Sequence, residues 1–399
     1  MNYSLVSADA HIDMSWLPGD LFVKNCPAKL KEKVPQVVAT KKGEMWMVGK
    51  EVLGVPAGAG FGFLPSLKHR THRMDRMFEE GFFNGLAAKR FHPTSPDLRL
   101  EDMRKDGVDA EVIYGITGVS RKIADPEGLE ATYRIYNDWL AAFCKSRPGR
   151  WFGLACVPAH DPQKAAAELY RTAKLGLSGA DLDTRISIRP VYMRDGFWDP
   201  LWAASAETGL PVSFHINGAG IQVRAPFEGY NHESAYLSDA PSQVDLGYRI
   251  TTQTLGQLAG SQPLVSILAS GACEKFPGFR FILGESGAGW IPFVLERLDD
   301  KYVDEYYEKR FQPPLEMKPS DYWYRQGFTT FQKDNSVPYL YEQIGVANMM
   351  WGSDYPHPDG VWPDSKEAIA DNLGSIPKQV VKKITCDNAV NLYKMASRK

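Results

Sequence analysis

Short apolar runs recur along the chain and alternate with longer amphipathic stretches. Runs of about four to eight residues rich in β-branched and aromatic side chains predict strands, and apolar residues at three- and four-residue intervals predict helices. The pattern predicts eight strands, centred near residues 5, 111, 153, 180, 213, 281, 329 and 350. Most of them are followed by a predicted helix, as residues 126–146 follow the strand at 110–115.

Eight β/α units in series predict the fold class: α/β, a (β/α)8 TIM barrel closed by right-handed crossovers. A doubly wound open sheet is the alternative, but no glycine-rich phosphate-binding motif follows the first strand. A plain barrel needs about 250 residues, and this chain has 399. We therefore expect one barrel domain over residues 1–399, with a long insertion at residues 14–98 after the first strand.

The insertion has two parts. Residues 37–40 and 45–48 alternate apolar and polar side chains, which predicts a β-hairpin with Gly43 in its turn. Residues 56–98 are rich in Gly, Pro and aromatic side chains, including Phe63, and contain a basic stretch that includes Arg73. Long loops are usually lids or disordered, and this much Phe disfavours disorder. We expect a lid.

Composition excludes several classes of function. Hydrophobic residues make up 44% and charged residues 24%, as in ordinary soluble globular proteins. The net charge of -2 gives no reason to expect nucleic acid or an anionic membrane as a partner, and no window approaches the about 20 apolar residues of a membrane span. Five scattered cysteines without a C-x-x-C pair, and no signal-like start, lead us to expect a cytoplasmic protein.

The first predicted strand ends in a polar pattern, Asp9-Ala-His11-Ile-Asp13. Alternate side chains of a strand share a face, so these two carboxylates and one imidazole lie together. Such groups need a partner when they are buried, and a divalent metal ion is the simplest one. A hydrogen-bonded Asp–His pair at the strand end is the alternative.

Further potential ligands end later strands. His215 ends the fifth strand, Glu285 the sixth and Asp354 the eighth. In a barrel the active site lies at the C-terminal ends of the strands. Together with Asp9 and His11, these residues predict a metal site on one rim of the barrel.

Several motifs resemble the amidohydrolase-related branch of the amidohydrolase superfamily, which includes aminocarboxymuconate-semialdehyde decarboxylase and the resorcylate-type decarboxylases. The motifs are Asp9-Ala-His11, Phe214-His-Ile216, Gly284-Glu-Ser-Gly287, Trp290 with Glu296-Arg-Leu-Asp299, Trp351-Gly-Ser-Asp-Tyr-Pro-His-Pro-Asp-Gly-Val-Trp-Pro363 and Asn388-Ala-Val-Asn-Leu-Tyr393. The resemblance covers nearly the whole chain outside the insertion. It implies a barrel enzyme that binds one or two divalent ions and catalyses hydrolysis or non-oxidative decarboxylation.

Residue by residue, the resemblance implies Asp9, His11, His215 and Asp354 as metal ligands, with Asp354 also a catalytic candidate. Many members have His-x-His or Glu-x-His at the position where this chain has Asp9-Ala-His11. The decarboxylases have a catalytic histidine at the end of strand six, where this chain has Glu285. We expect Glu285 to be either the general acid–base or a further ligand that helps to hold a second ion.

The donor set of two histidines and three carboxylates suits Zn, Mn or Fe. A metal-activated water would attack a carbonyl, and a metal-held carboxylate would be removed by decarboxylation. We therefore expect hydrolysis or decarboxylation of a small organic acid or related carbonyl compound. The alternatives are a nonheme diiron monooxygenase on the same scaffold and a metal-stabilised binding protein without catalysis.

Other residues are candidates on weaker grounds. His232, in the loop after strand five, is a candidate catalytic residue, with a solvated loop histidine as the alternative. His357, beside Asp354, is expected to orient a ligand or contact the substrate. Arg73, Phe63 and Trp290 are candidate substrate contacts, and a solvated helix face, the core or an oligomer contact are their alternatives. We expect a small-molecule substrate and a homodimer as partners.

Overall fold

A computed structural model describes residues 2–41, 43–57, 72–183, 190–216, 226–227, 242–304 and 315–395. Its strands are β1 (Val6–His11), β2 (Gln36–Thr40), β3 (Gly43–Val48), β4 (Glu51–Gly54), β5 (Ala110–Tyr114), β6 (Trp151–Cys156), β7 (Gly179–Asp181), β8 (Val212–His215), β9 (Phe281–Gly284), β10 (Gly327–Phe331) and β11 (Met349–Trp351). Strands β1 and β5 to β11 form one eight-stranded sheet in chain order, and each neighbouring pair is parallel.

This sheet closes on itself between its first and last strands. The amide of Asp354 donates to the carbonyl of Asp9 at 2.9 Å, and the amide of His11 donates to the carbonyl of Tyr355 at 2.6 Å. A parallel bridge between Ala10 and Tyr355 completes the seam. The predicted (β/α)8 barrel is confirmed, and an open doubly wound sheet is excluded because the two edges are paired.

Helices alternate with the barrel strands on the outside. They are α1 (Leu21–Asn25), α2 (His72–Glu79), α3 (Pro96–Asp106), α4 (Pro126–Lys145), α5 (Pro162–Leu175), α6 (Asp199–Thr208), α7 (Gln243–Gly256), α8 (Ser261–Ser270), α9 (Ala272–Lys275), α10 (Ile291–Val303), α11 (Pro319–Gln326), α12 (Val337–Ile344), α13 (Ser365–Leu373), α14 (Lys378–Lys382) and α15 (Asn388–Leu392). Gly271 adopts a φ of +82° and separates α8 from α9. Within the described ranges, no helix combines the length and apolarity that crossing a bilayer requires.

Apolar residues fill the lower part of the barrel and leave its upper end polar. Inward side chains of the strands, such as Val112, Phe152 and Met350, form one buried cluster. The C-terminal segment contributes Ala389 and Tyr393 to the same cluster. Strands that are buried on both faces have apolar side chains in nearly every position. The polar residues at the strand ends therefore stand out as an exception.

The insertion between β1 and α3 begins with an antiparallel sheet of β2, β3 and β4. Val37 pairs with Trp46 in the predicted hairpin, and Gly43 has a φ of +106°. Residues of α2 and the following loop pack on Ala10 and Tyr355 of the barrel. Phe63 lies outside the described residues, and of Arg73 the structure describes the backbone, within α2.

Candidate metal centre

Six ionisable side chains meet at the C-terminal ends of the barrel strands, and each is at most 4% exposed. They belong to β1, β8 and the segments that follow β9 and β11: Asp9, His11, His215, Glu285, Asp354 and His357. Burial of so many polar groups is unfavourable unless they have partners. The five ligands expected from the sequence are thus brought together, along with His357.

Imidazole and carboxylate atoms form one connected cluster. His11 Nε2 lies 3.3 Å from Asp9 Oδ1 and 3.1 Å from Asp354 Oδ1. His215 Nε2 lies 3.6 Å from Asp9 Oδ1 and 3.4 Å from Glu285 Oε2. The side chains at the ends of β1 and β8 and in the segments after β9 and β11 are therefore within reach of a shared ion.

Two overlapping groups of these atoms have the spacing of a metal site. Both share His11, and they comprise Asp9, His11 and His215 in one and His11, Glu285, Asp354 and His357 in the other. Within each group, one ligand atom of every residue lies within 4.8 Å of the others. The spacing allows one ion at either group or one ion at each.

Several of these atoms have no hydrogen-bond partner among the described residues. They are Asp9 Oδ1, His11 Nε2, Glu285 Oε2 and both carboxylate oxygens of Asp354. A buried acceptor without a donor costs about 1–3 kcal/mol, and more when it is charged. Carboxylate oxygens and imidazole nitrogens are ligands for Mn, Fe and Zn, so the residues present fit a divalent cation.

The protonation states of the cluster depend on one another. Burial alone raises the pKa of Asp9 and of Asp354, but the facing histidines outweigh burial and lower both pKa values. Burial and His357 lower the pKa of His11, but Asp354 and Asp9 outweigh them and raise it to about 9. Burial, and then the charge of Asp354, hold the pKa of Glu285 well above its usual range. In the metal-free protein these shifts favour the ionised form of the two aspartates and the protonated form of Glu285.

Two of the carboxylate residues have left-handed backbone conformations, which residues other than glycine rarely adopt. Glu285 has a φ of +54° and Asp354 a φ of +56°. The left-handed conformation costs on the order of 1–3 kcal/mol at such positions and is concentrated at functional sites. Glu285 directly follows β9, and Asp354 lies three residues after β11, so both bends occur where strands open onto the rim.

His357 lies against the carboxylate of Asp354, a candidate ligand, as its proximity in sequence suggested. Its Nδ1 is 3.0 Å from Asp354 Oδ1, and its Nε2 is 3.2 Å from Asp13 Oδ2. Its ring stacks on His11 with a centroid distance of 4.1 Å. His357 therefore connects the two aspartates that follow β1 and β11.

Sequence reasoning missed three buried residues that support the cluster. Thr330 Oγ1 donates to Asp9 Oδ2 at 2.7 Å and accepts the amide of Glu285 at 2.7 Å. Arg99 donates from Nη1 to the carbonyl of His11 at 2.9 Å. The ring of Tyr114 stacks on His11.

One of these three residues had a sequence signal. Thr330 is one of two threonines in the buried strand motif Phe328-Thr-Thr-Phe331, where a polar side chain indicates a hydrogen-bond partner. Arg99 lies in a helix with several charged residues, and no local pattern separates it from solvated ones. Its role depends on the packing of α3 against β1.

The other candidate residues from the sequence, Trp290, His232 and Phe63, are not among the six side chains of this cluster. Trp290 is half-buried, and its indole N–H donates to the carbonyl of Ser286 at 2.6 Å, which places it on the loop after β9. His232 lies outside the described residues, as Phe63 does. Their roles stay predictions.

Comparison with known proteins gives consistent results. The amidohydrolase family model matches residues 45–395. The gamma-resorcylate decarboxylase of Polaromonas sp. strain JS666 is 26% identical over 311 residues, which cover 75% of this chain and 87% of that protein.

Two solved structures are similar along almost their whole length. An amidohydrolase from Mycobacterium avium subsp. paratuberculosis K-10 has a TM-score of 0.71 at 21% identity, with 98% of this chain and 100% of that chain covered. The 5-carboxyvanillate decarboxylase of Novosphingobium aromaticivorans, in complex with manganese, has a TM-score of 0.64 at 18% identity, with 98% and 96% covered. At these identities the likeness supports the barrel fold.

Proposed function

The chain belongs to the amidohydrolase family, and from that membership we propose that it is a metal-dependent decarboxylase of a small organic acid. It is an enzyme, a decarboxylase or a hydrolase. The observation that carries the proposal is the buried cluster with unpartnered carboxylate oxygens at the barrel rim. The relative named gamma-resorcylate decarboxylase favours decarboxylation over hydrolysis.

In this proposal Asp9, His11, His215 and Asp354 hold the ion. When bound, a divalent cation supplies a Lewis acid for the substrate carboxylate and a neighbouring oxygen. We propose Mn²⁺, because the donor set mixes nitrogen and oxygen and because the related carboxyvanillate decarboxylase structure contains manganese.

Glu285 would supply the proton that decarboxylation needs. When the bond between the carboxyl group and its carbon breaks, CO2 leaves and the electron pair stays on that carbon, which then takes up a proton. Burial and the charge of Asp354 raise the pKa of Glu285 well above the usual range of a glutamate, which favours its protonated form. It is therefore suited to act as a general acid, and it regains its proton from solvent after each turnover.

A second candidate function is O2-dependent oxidation at two iron ions. One observation favours it: the ligand atoms fall into two overlapping groups, and the second includes Glu285, Asp354 and His357. In that case Glu285 would be ionised and would serve as a ligand. The number and identity of the metal ions distinguish the two functions.

Metal analysis of the purified protein, followed by carboxylate variants, tests the proposal. We expect about one equivalent of Mn²⁺, its loss in Asp354→Asn and its retention in Asp106→Asn, a buried carboxylate elsewhere. Glu285→Gln should keep the metal and lower CO2 release from a panel of hydroxybenzoates by about 10²- to 10⁴-fold. Two equivalents of iron would favour the second function, and absence of metal after addition of Mn²⁺ and, separately, of Fe²⁺ would overturn both.

We also propose that the chain works as a cytoplasmic homodimer and that residues 1–399 form one domain. The packing of the insertion on Ala10 and Tyr355 supports one domain. Light scattering during size-exclusion chromatography tests the dimer, and a mass of one chain, 44.6 kDa, would contradict it.

A further inference from the structure

Thr330 connects two carboxylates that belong to different parts of the candidate centre. It lies in β10, its side chain is fully buried, and its hydroxyl oxygen contacts Asp9 Oδ2 and the backbone amide of Glu285, each at 2.7 Å. Asp9 belongs to β1 and Glu285 follows β9. A single hydroxyl group thus joins the two sides of the cluster.

The direction of both hydrogen bonds is determined by chemistry. An amide N–H can only donate and an ionised carboxylate can only accept, whereas a hydroxyl does both. The Glu285 amide therefore donates a hydrogen bond to the Thr330 hydroxyl oxygen. The hydroxyl in turn donates its proton to Asp9 Oδ2. This leaves Asp9 Oδ1 facing His11 and His215, at 3.3 and 3.6 Å.

The same hydroxyl restrains the backbone of Glu285. This residue has a φ of +54°, which a residue with a side chain adopts only when its surroundings hold it there. The amide of Glu285 is the group that Thr330 accepts. Loss of the hydroxyl would remove the hydrogen bond of that amide and the hydrogen bond to Asp9 Oδ2.

We propose that Thr330 is a positioning residue that sets the Asp9 carboxylate for metal binding and the Glu285 carboxyl for proton transfer. This inference rests on the proposed metal-dependent function. Groups that hydrogen-bond to metal ligands typically affect metal affinity by 10- to 100-fold. Thr330 acts through Asp9 and Glu285 and needs no contact with the substrate.

The neighbouring Thr329 provides a matched control. It is equally buried, and its hydroxyl donates to the carbonyls of Leu283 and Gly287, which are backbone groups outside the cluster. Thr329→Val and Thr330→Val remove the same atom from adjacent residues of one strand. Thr330→Ser keeps the hydroxyl, and Thr330→Ala removes it without the second methyl group should the valine variant fail to fold.

Calorimetric titration of metal-stripped protein with Mn²⁺, alongside kinetics with hydroxybenzoates, tests the inference. We expect Thr330→Val to weaken Mn²⁺ binding 10- to 100-fold and to lower kcat with KM for the organic substrate little changed. Thr330→Ser should bind within about threefold of wild type, and Thr329→Val should lower the melting temperature alone. Wild-type affinity in Thr330→Val and Thr330→Ala, or equal loss in Thr329→Val, would overturn it. Failure of wild type to bind Mn²⁺ would instead overturn the proposed function.

Discussion

At the scale of single residues, a buried ion pair supports the strand that carries two candidate ligands. Arg99 is fully buried, its Nε lies 2.7 Å from Glu111 Oε2, and its Nη1 donates to the carbonyl of His11. The guanidinium also lies over the ring of Tyr355, 4.9 Å from its centroid. Arg99 thereby joins α3, β5 and β1 beside the candidate metal centre.

We expect Arg99→Met to destabilise the protein by about 3–5 kcal/mol, because it leaves the Glu111 carboxylate buried without its cation. Urea unfolding followed by circular dichroism measures the loss. The double variant Arg99→Met with Glu111→Gln should regain part of it, since no uncompensated charge remains. A loss below about 1 kcal/mol in the single variant would contradict the role of the pair.

Asp106 gives a prediction about pH. Its carboxylate accepts the amide and the hydroxyl of Ser365 at 2.9 and 2.6 Å, at the start of α13. Burial raises its pKa to about 7, although the bonds from Ser365 lower it. A carboxyl group whose pKa is higher in the folded state stabilises the fold fully below its unfolded pKa near 4, and this contribution is lost as the pH rises through 7.

Asp106→Asn removes this titration. We expect the free energy of unfolding of wild type to fall relative to that of the variant as the pH rises from 5 to 8. The fall should be roughly 1.4 kcal/mol for each pH unit between pH 5 and the folded-state pKa. Urea unfolding of both proteins at the two pH values measures the difference. Equal changes in the two proteins would show that Asp106 does not titrate in this range.

At the scale of elements, local signals determine where α5 begins and ends. Asp161 precedes Pro162 at the N-cap of α5, and its side chain accepts hydrogen bonds from the amides of Gln163 and Lys164. The same helix ends before Gly176, which has a φ of +91°. Such caps act within one helical turn, so the sequence alone predicts where the helix begins and ends.

Asp161→Ala should therefore lower the free energy of unfolding by about 1 kcal/mol, because two helix amides lose their acceptor. Chemical denaturation measures the change. Asp371→Ala serves as the control, since Asp371 is exposed and lies near the end of α13; it should change stability by less than about 0.5 kcal/mol. Similar losses in both variants would argue against capping.

At the scale of the whole molecule, the candidate centre connects distant parts of the chain. Asp9 and Asp354 are 345 positions apart and meet at the seam where the barrel closes, since Asp354 donates its amide to the Asp9 carbonyl. An ion held there would link β1 and β8 with the segment after β11. Metal binding and barrel stability should therefore be coupled.

Removal of metal by a chelator should lower the melting temperature. At a free Mn²⁺ concentration 100-fold above Kd, the folded state gains about 2.7 kcal/mol. Differential scanning calorimetry with and without chelator measures this difference. Asp354→Asn should show little dependence on Mn²⁺, and a wild-type melting curve that is indifferent to chelator would contradict the coupling.

The sequence by itself determined the barrel, the hairpin of the insertion and the strand ends that carry the candidate ligands. Periodicity, caps and turns act over a few residues, and the ends of parallel strands share one rim whatever the details of packing. His215, Glu285 and Asp354 could therefore be selected before the fold was known. Residues 378–392 form one continuous helical stretch, in which a π-helical turn at Lys383–Asp387 lies between α14 and α15.

Tertiary structure alone decided which groups support the centre and how they are charged. Thr330 meets Asp9 across 321 positions of sequence, and Arg99 meets the His11 carbonyl across 88. The raised pKa of Glu285 arises from burial and from the charge of Asp354, neither of which is a property of its neighbours in sequence. Contacts and desolvation depend on distances in space, which a local pattern of residues does not specify.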